Sequence, residues 1–189
     1  MEHQKPSVID QKSSDDFFLI NFANQNLVMK YNYLLIVIAV LLTACESPYI
    51  FNRVVKKSNG EREMLGGVNR EIFAKEPFSD WFSREYDAYQ PNQKVTAEFK
   101  SKIKRFRIEA FIGSWNEDTR REYPRFIKIL DEVKFPDQRL LTYAVNENLK
   151  SFYSEEAGKN IRHLPTFILY KGGKEVGRIV ESPVSGSLE

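Results

Sequence analysis

The stretch of residues 106–130 constrains the fold most, because it indicates a buried strand, a tight turn and an amphipathic helix in direct succession. Its first part, FRIEAFIG, alternates and then becomes continuously apolar, as a buried strand does. Asn116, Glu117 and Asp118 come after the turn and supply N-cap chemistry, with carboxylates at the positive end of the helix dipole. One face of the helix then carries the large apolar side chains: Tyr123, Phe126, Ile127, Leu130 and Val133.

Helical patterns precede this stretch, and strand patterns dominate the residues C-terminal to it. Aromatic side chains at helical spacing predict a helix over residues 77–89, and apolar residues four apart predict another over residues 95–103. Downstream, residues 139–145 predict a strand, residues 147–160 contain a predicted helix that ends near Gly158, and Gly172-Gly173 predicts a hairpin of two strands. This order predicts an α/β fold, with a central mixed sheet flanked by helices and an N-terminal helical extension.

Composition limits the classes of function. The chain has 189 residues, 42% of them hydrophobic, which is enough for one domain with a proper core. Its 28 basic and 26 acidic residues leave a net charge of +2, which gives no argument for a nucleic-acid partner. The two histidines, His3 and His163, are too far apart in sequence to support a histidine metal site or a Ser-His-Asp triad. We expect no metal and no cofactor.

The N-terminal part contains a targeting pattern. An apolar run, LLIVIAVLL, covers residues 34–42, which is too short to span a bilayer, and Lys30 precedes it. The LTAC that closes the run resembles the lipobox of bacterial lipoproteins, which implies a lipid on Cys45 and cleavage just before it. The alternative is a buried core strand with an incidental cysteine. A lipid on Cys45 predicts a membrane-anchored protein of the cell envelope. In the lipoproteins that this motif resembles, Asp after the cysteine marks retention in the inner membrane, so the resemblance implies the outer membrane for a chain with Glu46 there.

These patterns divide the chain into five predicted segments. Residues 1–28 are an extension upstream of the true start, 29–44 the signal peptide, 45–75 a tether, 76–182 the folded domain and 183–189 a C-terminal tail. Charged residues and glycines interrupt the tether, and the alternative there is a short hairpin or an irregular edge element within it.

Three local features in residues 106–180 resemble the thioredoxin family. Trp115 lies at the strand-to-helix turn where that family has Trp-Cys-x-x-Cys, and Pro124 lies where its helix-kinking proline stands. The triplet Leu164-Pro165-Thr166, with a strand and a Gly-containing hairpin after it, is similar to the family's cis-proline segment. The resemblance, closest to a subgroup of secreted bacterial thioredoxin-like proteins, implies a thioredoxin-like fold and a cis Pro165.

The chain departs from the family at its reactive positions. Asn116 stands at the first cysteine position and Thr119 at the second, so neither can attack a disulfide. Ala110 replaces the family's buried aspartate. The sequence therefore predicts a redox-inactive relative that binds a protein or peptide near Trp115 and residues 164–166. In the alternatives, Trp115 only packs the turn, or a residual or different enzymatic activity remains, through Glu117 and Asp118 as acid and base or through an unlipidated Cys45.

Overall fold

The structure is a computed structural model that describes residues 29–36 and 48–182. The chain divides into two compact units, Met1–Tyr49 and Ile50–Glu189. In the first unit, residues 29–36 are helical. The predicted upstream extension, the rest of the signal peptide, Cys45 and the C-terminal tail lie outside the described residues. Within the described residues, no helix has the length and apolar character needed to cross a membrane.

The second unit contains two sheets. The strands are β1 Val54–Lys56, β2 Arg62–Met64, β3 Gly66–Val68, β4 Arg107–Ile112, β5 Leu140–Ala144, β6 Thr166–Lys171 and β7 Lys174–Val180. A parallel pairing joins β4 to β5, while β3 is antiparallel to β5 and β6 is antiparallel to both β4 and β7. These five strands form one mixed sheet in the order β3-β5-β4-β6-β7, and β1 and β2 form a separate antiparallel pair.

The described part of the second unit contains three α-helices, and the sequence pattern predicts all three: two before β4 and one directly after the turn that follows β4. They are α1 Ser79–Ala88, α2 Gln93–Ile103 and α3 Glu117–Glu132, with short 3-10 helices at Arg70–Ala74 and Asp137–Arg139. The order β4-α3-β5, completed by the antiparallel hairpin β6-β7, is the thioredoxin-like arrangement. The predicted fold class is therefore confirmed. The peptide bond between Leu164 and Pro165 is cis, as predicted.

The main core lies between the sheet and the helices. The inward side chains of β4, Ile108, Ala110 and Ile112, are all at most 1% exposed and pack against the apolar face of α3. Phe126 of α3 stacks on Phe167 of β6 with ring centroids 4.0 Å apart. Such buried apolar side chains contribute roughly 1.5–3 kcal/mol each. A second, smaller cluster, which includes Phe111 of β4, gathers residues that alternate with those of the main core.

The prediction of a helix over residues 147–160 is wrong, because this segment consists of turns. Asn146 Oδ1 accepts hydrogen bonds from the amides of Asn148 and Lys150, both at 3.0 Å. Glu156 accepts from the Ser151 amide at 3.1 Å. Leu149 and Ser154 have φ angles of 57° and 61°, outside the right-handed helical region. Side chains therefore satisfy backbone groups that a helix would have paired.

The segment predicted as a tether, residues 45–75, is folded over its larger part, and the β1-β2 hairpin is the short hairpin of the alternative. Strands β1, β2 and β3 and the first 3-10 helix all lie within residues 54–74. Strand β3 pairs with β5 along Gly66–Val68 and so belongs to the central sheet. Buried apolar residues anchor the segment, since Met64, Val68, Ile72 and Phe73 all belong to the main core. The folded unit therefore begins at Ile50 rather than at residue 76.

Candidate functional site

The turn between β4 and α3 is closed by the two side chains that stand at the cysteine positions of the resemblance. Asn116 is the N-cap of α3, and its Oδ1 accepts a hydrogen bond from the Thr119 amide at 2.7 Å. Thr119 is fully buried, and its Oγ1 accepts from the Gly113 amide at 3.2 Å. The Asn116 amide in turn donates to the Gly113 carbonyl at 2.9 Å. Both positions therefore carry polar side chains with structural partners inside the turn.

The two carboxylates next to Asn116 do not converge on a reaction centre. Glu117 is exposed to solvent. Asp118 Oδ1 lies 2.7 Å from Arg121 Nη2, and Arg121 Nε lies 2.6 Å from Glu122 Oε1. A carboxylate held by an arginine one turn away stabilises the first turn of α3, which favours the helix-capping interpretation of these residues over the acid-base one.

Trp115 packs against the domain instead of projecting freely from the turn. Its Nε1 donates a hydrogen bond to the Val145 carbonyl at 3.0 Å, and its ring joins the second hydrophobic cluster. A Cβ atom on Gly113 would lie 2.9 Å from both the Trp115 ring and Leu164 Cδ1. Glycine is therefore needed at position 113, and the close packing brings the Trp115 turn together with the segment at Leu164.

The segment around the cis peptide is fixed by its own hydrogen bonds. Leu164, Pro165 and Thr166 are all buried. The Pro165 carbonyl accepts from the Glu181 amide at 2.8 Å, and the Thr166 hydroxyl donates to the His163 carbonyl at 2.7 Å. The structure thus places all eight residues predicted around the turn and the cis-proline segment, from Trp115 to Thr119 and from Leu164 to Thr166, and brings Trp115 and Leu164 into one packed group around Gly113.

An open cleft of about 520 Å³ lies beside Trp115. The side chain of Arg120 borders it on the α3 side, and its Nε donates to the Ser114 carbonyl at 2.7 Å. The β1-β2 hairpin provides another wall, and the Glu76–Pro77 segment also borders the cleft. The cleft lining carries charges of both signs: Lys57, Arg62 and Arg120 against Glu61, Glu63, Glu76 and Glu147.

The hairpin wall is attached to the turn and is internally paired. The Met64 amide donates to Ser114 Oγ at 3.0 Å, in the interior. Lys57 Nζ lies 2.6 Å from Glu147 Oε1 and 3.2 Å from Glu63 Oε2. The hydrogen bond to Glu147, with a smaller effect from the one to Glu63, raises the pKa of the Lys57 ammonium above its usual value of 10.5. Lys57 is therefore a cation throughout the physiological range and holds Glu147 near the hairpin.

Of the cleft residues, only Trp115 was predicted as a site residue, because residues 45–75 were assigned to a tether in which a short hairpin was only an alternative. Asn59-Gly60 is a dipeptide that favours a hairpin turn. Gly60 indeed occupies the turn with φ of 89°. Within the described residues, no group of three or more His, Cys, Asp or Glu side chains is arranged to hold a metal ion.

Comparison with known proteins supplies a structural likeness. No family model and no curated protein matches the chain. The chain is similar to a solved structure of thioredoxin from Plasmodium falciparum, with 23% sequence identity and a TM-score of 0.33. The matched region covers 47% of this chain and 83% of the thioredoxin chain. We base the fold assignment on the strand order and pairing described above.

Proposed function

We propose that this chain is a thioredoxin-fold protein of the bacterial cell envelope that binds a protein or peptide segment and performs no disulfide exchange. Hydrogen bonding at the turn carries the proposal: Asn116 and Thr119 hold the positions of the reactive pair and are both engaged in closing the turn. Disulfide exchange requires a thiolate, which neither side chain can provide. The turn keeps its geometry through hydrogen bonds that need no redox change.

The cleft beside Trp115 supports a binding role. It is open and offers cationic and anionic side chains together, which suits an extended peptide with charged side chains more than an apolar small molecule. The resemblance implies that the cis-proline segment presents backbone groups to such a peptide, as in β-augmentation. Within the described residues, neither the amide nor the carbonyl of Leu164 takes part in a backbone hydrogen bond. This segment packs with Trp115, so both lie on the same side of the domain.

The envelope location rests on the targeting pattern. Processing at Cys45 would leave a lipid-bearing residue close to the start of the folded unit at Ile50. Acyl chains contribute about 0.8 kcal/mol per buried CH₂, so a multiply acylated terminus anchors firmly. The peptide-binding cleft would then work at a membrane surface.

Insulin reduction with dithiothreitol tests the redox part of the proposal. We expect no turnover above background from the full chain or from Cys45→Ala, which contains no thiol. Asn116→Cys with Thr119→Cys places two thiols one helical turn apart at the N-terminus of α3, where the dipole lowers the pKa of the first. This double variant should show a measurable dithiol-disulfide couple. Turnover by the unmutated chain would refute redox inactivity.

Selection from a random-peptide display library tests the binding part. We expect ligands whose affinity falls when the cleft charge is reversed by Arg62→Glu, because Arg62 is exposed in the cleft wall. Lys94→Glu makes the same charge change on an exposed residue of α2, outside the cleft lining, and should leave affinity unchanged. Equal responses of the two variants, or no selectable ligand, would contradict a binding role for this cleft.

A further inference from the structure

A second depression lies next to helices α2 and α3. Its lining is mostly apolar and shares no residue with the lining of the charged cleft. It has a volume of about 220 Å³ and lies between α2, α3 and the strands β6 and β7. Its apolar lining includes Phe99 and Ile103 of α2, Phe126 and Ile129 of α3, Leu169 of β6 and Phe106 before β4. We call it the apolar groove.

The floor of the groove is part of the main core. Phe126 and Ile129 are buried, while Phe99, Ile103 and Leu169 are half-buried and pack against that core. The groove is therefore an opening in which apolar side chains of the core meet solvent. An apolar ligand that entered the groove would remove this apolar surface from water, which favours binding.

Cationic side chains border the groove. Lys102 belongs to its lining, and Lys171 Nζ lies 5.9 Å from the ring centroid of the groove residue Phe106. Neither lysine forms an ion pair within the described part of the chain. The chain between Glu98 and Glu109 has five basic residues and no acidic one: Lys100, Lys102, Lys104, Arg105 and Arg107. The edge of the groove near α2 thus combines positive charge with an apolar interior.

From this combination we infer that the apolar groove binds a single-chain anionic amphiphile, with the chain on the core residues and the acidic head at Lys102 and Lys171. Long lysine side chains suit this role, because their methylene stems cover apolar surface while the ammonium stays at the water boundary. A neutral chain would leave both ammonium groups unpaired, and a cationic amphiphile would be repelled. The inference is independent of the proposed peptide cleft, which shares no lining residue with the groove.

Isothermal titration calorimetry of the full chain with decanoate, kept below its micellar concentration, tests the site. We expect saturable binding that Lys102→Glu weakens about three- to tenfold, the range for replacing a partly exposed attraction with a repulsion. Lys94→Glu, on the same helix and outside the groove, should leave the affinity unchanged. Decanol should bind equally to all three proteins, because it lacks the anionic head.

A further variant and a further ligand separate the contribution of the apolar wall to the affinity from that of the anionic head group. Ile103→Trp places a larger side chain in the half-buried wall and should reduce the affinity for decanoate and decanol alike. Decyl phosphate should respond to Lys102→Glu as decanoate does, because the inference specifies an anion and one chain. Absence of saturable decanoate binding would overturn the inference, as would equal affinities of Lys102→Glu and Lys94→Glu. Lys102 and Lys94 are both exposed, so neither Lys102→Glu nor Lys94→Glu disturbs the core on which folding depends.

Discussion

The side chains of Asn116 and Thr119 close the turn between β4 and α3. The amide side chain of Asn116 accepts from the amide of Thr119, and the hydroxyl of Thr119 accepts from the amide of Gly113. Each bond satisfies a backbone donor that the first turn of α3 or the end of β4 would otherwise leave unpaired. These two side chains therefore fix the geometry of the turn.

Replacing the N-cap should measure the contribution of Asn116. We expect Asn116→Ala to lower the free energy of unfolding by about 1 kcal/mol, because the Thr119 amide loses its acceptor. Asn116→Ser keeps a side-chain oxygen at the cap and should stay within about 0.5 kcal/mol of the unmutated chain. Urea denaturation monitored by circular dichroism compares the variants. Equal stabilities of the Ala and Ser variants would contradict the capping role.

Thr119 offers a sharper test, because its side chain is fully buried. Thr119→Val keeps the shape and leaves the Gly113 amide without its acceptor, which should cost about 1–3 kcal/mol of unfolding free energy. Thr119→Ser keeps the hydroxyl and loses one methyl group, at a cost of about 1 kcal/mol. We therefore expect Val to be the less stable variant in equilibrium denaturation. The opposite order would show that packing outweighs the hydrogen bond at this position.

At the scale of elements, hydrophobic periodicity predicted well those helices and strands that bury a continuous apolar face. The strand β4, the helix α3 and the hairpin β6-β7 lie where the sequence places them. Residues 147–160 behave differently, because nearby side chains accept hydrogen bonds from their backbone amides, as Asn146 does just before the segment and Glu156 does within it. Helical propensity is a weak preference that such local bonds override.

Strand β3 was missed for another reason. Its three residues, Gly66, Gly67 and Val68, carry almost no side-chain signal, and their pairing with Thr142–Ala144 depends on a partner more than 70 positions away. Gly66 also has φ of 86°, and a Cβ there would lie 3.1 Å from Phe152 Cβ, so glycine suits this close approach. The cleft beside Trp115 could not be predicted either, because it depends on where this segment and the β1-β2 hairpin fold back.

An ion pair on β4 should make stability depend on pH. Glu109 is buried, Lys159 Nζ lies 2.8 Å from its Oε2, and Arg107 bonds its Oε1. Burial alone would raise the pKa of Glu109, but the hydrogen bonds from Lys159 and Arg107 outweigh burial and hold that pKa below 4.5. Since the folded pKa is depressed, the stabilisation is complete above about pH 4.5 and is lost as pH falls through the folded pKa.

Glu109→Gln should therefore lower the unfolding free energy by about 1–3 kcal/mol at pH 7. The difference from the unmutated chain should shrink as the pH is lowered from 5 to 3. Glu132→Gln, on the exposed side of α3, serves as the matched control and should show no such narrowing. Chemical denaturation at several pH values provides the measurement. A difference that stays constant, or grows, towards pH 3 would contradict the role assigned to the Glu109 carboxylate.

At the scale of the whole molecule, the start of the folded unit sets how far the domain can lie from a lipid anchor. Five residue steps separate Cys45 from Ile50, where the unit begins. An extended chain spans at most about 3.5 Å per residue, so the reach is about 17 Å. A thirty-residue tether would have allowed roughly 100 Å. If Cys45 carries lipid, Ile50 can therefore lie at most about 17 Å along the chain from the lipid-bearing residue.

Lipid attachment at Cys45 is the prediction on which that geometry depends. Expressed in a bacterium with lipoprotein processing, the chain should be recovered from the membrane fraction without residues 1–44 and with the added mass of diacylglycerol on Cys45. Cys45→Ser should remain uncut, because processing requires the thioether-linked lipid that only a cysteine can carry. Intact-protein mass spectrometry of both proteins distinguishes the outcomes. An unmodified Cys45 with its upstream residues intact would remove the membrane anchor from the proposal, while the disulfide and peptide-binding experiments would still decide the rest.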